Sequence, residues 1–134
     1  MRTVRTVLCL LLATLPWLPG SGFAEQRLTR VSVADARSLL VAAIDAPDGQ
    51  AHGVLSGQIA DAITQRFKAT TPIYIDVTTE RRYAQAGCRR LQARFWQDGV
   101  QLPGLAAPRR QTVDFGINYC RDGLPPKSLQ EERP

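Results

Sequence analysis

Histidine is almost missing from this 134-residue chain: there is one, His52, beside a single methionine and three cysteines. That scarcity excludes much chemistry. A serine or cysteine nucleophile needs an imidazole base within reach, so only a site built at His52 could supply one. His52 stands in a Gly-rich stretch between two expected helices, which reads as a solvated loop. Zinc needs at least three good protein ligands, and one histidine with two paired cysteines falls short. There is no Cys-x-x-Cys redox motif, no internal repeat, and no pattern that implies a cofactor. Long apolar runs are lacking too. Val7 to Leu15 is far short of the ~20 residues that span a bilayer, so no stable membrane anchor is expected.

What that run does suit is a secretion signal. Arg2 and Arg5 make a charged start, and Pro16, Pro19 and Gly20 break any helix after the apolar stretch. Gly22-Phe23-Ala24 puts small residues at the first and third positions before a cut. Residues 1–24 are therefore expected as a signal peptide cleaved after Ala24, with a periplasmic product. Cys9 leaves with it. Arg2 and Arg5 leave as well, so the formal charge of +5 drops to +3. That is too mild for the basic stripe of a nucleic-acid-binding protein.

The remainder is long enough for one domain. Val33, Ala36, Leu39, Leu40, Ala43 and Ile44 share one helical face. A helix start is expected at Ser32, with Asp35 in its first turn. Asp45-Ala46-Pro47-Asp48-Gly49 is turn chemistry that ends it. A second helix is expected from Ser56 to Lys68, with Leu55, Ile59, Ile63 and Phe67 as its apolar stripe. Three period-two runs follow: Ile73/Ile75/Val77, Leu91/Ala93/Phe95, and Val113/Phe115/Ile117/Tyr119.

Cys88 and Cys120 fix the register of the last two runs. In an oxidising compartment they should pair, so facing residues carry numbers that add to 208. Leu91 then faces Ile117, Ala93 faces Phe115, and Phe95 faces Val113, all apolar and on one side. The other side sets Arg94 against Asp114 and Trp96 against Thr112. A slip of one residue would destroy every match. The expected fold class is α+β: two helices followed by a three-stranded antiparallel sheet, in two layers, with one disulfide. Its expected limits are 25–122, with 123–134 as a disordered tail.

Paired carboxylates are the remaining route to catalysis. Asp76, Glu80 and Asp114 could converge, but Arg94 is the expected partner of Asp114 and Asp76 is an ordinary outward residue. No enzyme is expected. Arginines cluster instead. Arg90, Gln92, Arg94 and Trp96 share the outward face of the hairpin, with Arg109 and Arg110 at its far end. Arginine beside exposed tryptophan is typical of interaction hot spots, and these six residues form the candidate partner surface.

Three segments also carry a resemblance: Ser56–Ile63, Tyr74–Thr79 continuing through Arg82–Cys88, and Pro108–Pro126 with its Asp114-Phe115-Gly116-Ile117-Asn118-Tyr119-Cys120 core. Together they resemble small exported proteins encoded with conjugative transfer and type IV secretion genes of Gram-negative bacteria. The resemblance implies a periplasmic accessory role with a protein partner in the cell envelope and no cofactor. It carries over no functional residues. The alternative is a periplasmic inhibitor or binding module for an anionic envelope ligand or a hydrolase, with the long loop before Arg110 as its reactive element.

Overall fold

The alternating runs form the three longest strands of a five-stranded mixed sheet. The computed structural model describes residues 28–134, so the expected signal peptide lies outside the described residues. The elements are β1 (Val31–Val33), α1 (Arg37–Asp45), β2 (Gln50–Leu55), α2 (Gln58–Arg66), β3 (Ile73–Arg82), β4 (Cys88–Val100) and β5 (Arg109–Cys120). The strands lie in sequence order across the sheet. β1 and β2 run parallel, and every later pair is antiparallel.

The expectation of a three-stranded antiparallel sheet is therefore corrected on two counts. Val31–Val33, assigned to the start of a helix, is a strand; α1 begins one turn later. Asp35 lies just ahead of it, before the N-cap Ala36, and accepts the Arg37 backbone N–H at 2.8 Å. Gln50–Leu55, taken for a loop, is β2. Its pattern hides because the inward positions Ala51 and Gly53 are so small. Gly53 is required there: a Cβ would lie 2.7 Å from the Leu39 Cδ1 and 3.0 Å from the Val31 carbonyl oxygen.

The hairpin register follows the cysteines. Cys88 and Cys120 are joined, and β4 and β5 pair Leu91 with Ile117, Ala93 with Phe115, Phe95 with Val113, and Arg94 with Asp114. The disulfide closes a 32-residue separation.

Of the two described helices, only α1 lies on the sheet. Its Leu39, Leu40, Ala43 and Ile44 are buried against Ile75, Val77, Leu91 and Ala93. Each of the leucine, isoleucine and valine side chains contributes roughly 1.5–3 kcal/mol on burial. The expected packing of α2 on Ile75, Leu91, Phe115 and Ile117 is corrected by its topology. α2 links two antiparallel neighbours, so it has no need to cross the sheet and stays at one end. It is held there by Gln97, whose side-chain amide donates to the Thr64 Oγ1 at 2.8 Å and to the Thr71 carbonyl at 2.9 Å. Ala60 is its one buried residue, while Ile59 is 77% and Ile63 37% exposed.

The C-terminal residues, expected as a disordered tail, run back along the end of β3. Ala84 N–H donates to the Gln130 carbonyl at 2.8 Å, Glu132 N–H donates to Arg82 at 3.0 Å, and Tyr83 bridges to Glu131.

Candidate functional site

No described element covers the side of the sheet opposite α1, and there the strands line up a row of polar residues. His52 on β2 faces Asp76 on β3, Asp76 faces Arg94 on β4, and Arg94 faces Asp114 on β5. The neighbouring row runs Val54, Tyr74, Trp96, Thr112. Period-two alternation places both rows on the open face.

Asp76 is the hub. Its Oδ1 accepts from the Arg30 guanidinium and from the His52 Nδ1, each at 2.7 Å. Its Oδ2 accepts from the Trp96 indole N–H, also at 2.7 Å. An ionised carboxylate can only accept, so the His52 proton sits on Nδ1. Burial alone would push the Asp76 carboxyl up, but Arg30, His52 and Trp96 outweigh it and hold the group below its ordinary value. Three donors satisfy the charged form together, and that form is favoured accordingly.

Around this hub the aromatic and guanidinium groups stack. Tyr74 and Trp96 have ring centroids 4.4 Å apart. The Arg30 guanidinium carbon lies 4.8 Å from the Tyr74 centroid and 5.5 Å from that of Trp96. Arg110 lies 4.3 Å from Trp96. Each contact is within the range of cation–π attraction. Arg30 also donates toward the Gly53 and Ile75 carbonyls at 3.4 Å, so the residue preceding β1 is tied across β2 and β3.

The cations of this face are already matched. Arg94 and Asp114 form a two-pronged pair at 2.8 and 3.0 Å. Arg110 forms another with Asp98 at 2.5 and 3.0 Å. The guanidinium beside each holds Asp114 and Asp98 below the usual carboxylate range. Arg90 reaches the Asn118 Oδ1 at 3.3 Å and Glu80 at 3.4 Å. Gly116 leaves it room, since a Cβ there would collide with the Arg90 guanidinium.

Of the residues expected from sequence, Arg90, Gln92, Arg94 and Trp96 do share this face, and Arg110 joins them through Trp96. Arg109, opposite Val100, is exposed and outside the stack. Arg30, His52, Tyr74 and Asp76 were missed. The available signal was the alternation of Gln50, His52 and Val54 against Ala51, Gly53 and Leu55, which would have placed His52 on a strand. Of the three carboxylates considered for catalysis, Asp76 and Asp114 are separated by Arg94 in their row, and Glu80 bonds Arg90.

The His52–Asp76 bond resembles the carboxylate–imidazole half of a hydrolytic triad. Among the described residues, however, the hydrogen bonds of His52 run only to Asp76. No protein-family model, curated protein or solved structure matches the chain.

Proposed function

We propose that this is a non-enzymatic periplasmic accessory protein that binds a protein partner of the cell envelope on the open face of its sheet. The observation that carries the reading is the preorganised Arg30–Tyr74–Trp96–Arg110 stack, held by Asp76 at Arg30 and Trp96 and by Asp98 at Arg110. Rigid aromatic and arginine groups held in place before contact cost little ordering on binding, and they are the residue types that dominate protein interfaces.

The charge balance supports a protein over an anionic ligand. Arg30, Arg94 and Arg110 each already carry a carboxylate partner. A phosphate-rich or polyanionic ligand would have to break those pairs, whereas a protein can meet a compensated, polar and aromatic surface with matched groups. The sequence resemblance to proteins encoded with transfer and secretion genes supports a component of a conjugation or type IV secretion assembly as that partner. Two further facts accord with export: the Cys88–Cys120 bond, and the lack among the described residues of any helix long and apolar enough to cross a membrane.

Affinity capture from envelope extracts of the host tests the reading. Replacing Arg94→Gln together with Arg110→Gln should sharply reduce capture of the partner while leaving the thermal midpoint unchanged. Full capture by the double variant would remove the assignment of this face.

A further inference from the structure

Of the two edge strands, β1 and β5, the longer is β5, which pairs only with β4 among the described residues, and its chemistry is self-complementary. We propose that two copies of this chain pair antiparallel along β5, with Phe115 facing Phe115 on the two-fold axis, to make one continuous ten-stranded sheet.

The direction of the β5 backbone groups follows from its far end. Arg121 N–H donates inward to Gly87, whereas Cys120 N–H donates away from β4, to Leu124. The Cys88 and Cys120 Cα atoms are 4.0 Å apart, the close spacing of a non-hydrogen-bonded pair. By alternation, Thr112, Asp114, Gly116 and Asn118 turn their N–H and C=O groups to the free edge. Apart from strand pairing, no backbone hydrogen bond of the described residues uses them. Long exposed edges are ordinarily blunted by charges pointing inward, by proline or by a bulge. Between Thr112 and Asn118 β5 has no proline, inward charge or bulge, since its inward residues are Val113, Phe115 and Ile117 and its register shift with β4 lies before that stretch; its one charge, Asp114, is paired with Arg94. Val113 is 64% and Phe115 41% exposed. They border a shallow apolar groove with Leu55, Ile63, Ile73 and Phe95, the part of the inner face that α1 does not reach.

Backbone direction restricts an added strand to registers that pair even positions with even ones. Four registers keep the central stretch paired. Centring on Asp114 opposes two like charges, which is destabilising. Centring on Val113 sets Phe115 against Gln111. Centring on Gly116 needs the Cys120 N–H, which Leu124 already occupies. Centring on Phe115 pairs Val113 with Ile117 on both sides of a Phe115–Phe115 contact, Asp114 with Gly116, and Thr112 with Asn118. It alone gives an unbroken apolar row with no charge conflict. Facing residues in an antiparallel pair point the same way, so both α1 helices would lie on one side. The two open faces would then form one continuous surface, presenting the proposed partner site twice. This dimer stands independently of what that partner is.

Sedimentation equilibrium of the mature protein, followed by cysteine cross-linking, tests it. The expected result is a dimer that Val113→Lys converts to monomer. Under oxidising conditions Phe115→Cys should link two copies, while Val113→Cys, facing Ile117, should not. A monomer at every accessible concentration would overturn the proposal, including one that accepts a foreign strand on β5. So would a dimer unaffected by Val113→Lys, or one that Val113→Cys links and Phe115→Cys does not.

Discussion

The two faces of β3, β4 and β5 are made by the same strands with alternate residues, yet they are held by different physics. On the inner face Ile75, Val77, Leu91 and Ala93 meet the apolar side of α1, and attraction there is non-directional and scales with buried area. On the outer face no described element covers the sheet, and order comes from directed contacts: three donors on Asp76, two bidentate arginine–carboxylate pairs and a stack on Trp96. The inner face sets stability. The outer face sets a shape that can be altered without unfolding the domain.

That division is broken most forcefully from the inner side. Leu39→Ala removes a side chain that is 1% exposed and should destabilise by about 2–5 kcal/mol, measured by urea unfolding. Opening the Cys88–Cys120 bond should cost roughly 3–4 kcal/mol in the chain-entropy model, read as a lowered midpoint in reductant. Among the hydrogen-bonded groups of the outer face the largest effect belongs to Asp76. Asp76→Leu leaves the partly buried donors of Arg30, His52 and Trp96 unmet, at about 1–3 kcal/mol for each that water does not reach. No loss at all in the same urea measurement would mean that the Asp76 bonds do not order the outer face.

Acid titration sharpens the same contrast. The native Asp76 carboxyl is held below its ordinary value, so its contribution is present in full above the unfolded pKa of about 3.9. It is lost as pH falls through the lower native value, because the unfolded chain takes up its proton first. Stability should therefore decline below about pH 4, and Asp76→Asn should flatten that decline. The smallest effect is expected at Arg94→Gln. Arg94 and Asp114 are 55% and 37% exposed, and a surface pair of this kind contributes little, so the thermal midpoint should not move.

The inner face was the legible one. Period-two alternation in β3, β4 and β5 is local in sequence, and the cysteines turn that alternation into a register with no free parameter. β1 escaped because three residues are too few to show a period. β2 escaped because Gly53, small to admit Leu39, reads as turn punctuation. The position of α2 escaped because an apolar stripe does not say which surface it meets; with β2 recognised, the antiparallel β2–β3 link would have removed α2 from the sheet. The outer hub was the hardest to see. Arg30, His52, Asp76 and Trp96 lie far apart in the chain, and neither charge nor periodicity links them until both β1 and β2 are in place. Where two long strands supplied the pairing, as for Arg94 with Asp114, the contact could be read directly.

The most direct test of the outer face as a partner surface is in-cell photo-cross-linking from Gln92, which stands beside the Asp76 row and bears no part of its bonding. A photoreactive residue there, in the native host, should give a discrete adduct with a component of an envelope-spanning conjugation or secretion assembly. The absence of any adduct, or an adduct only with a periplasmic hydrolase, would contradict the account.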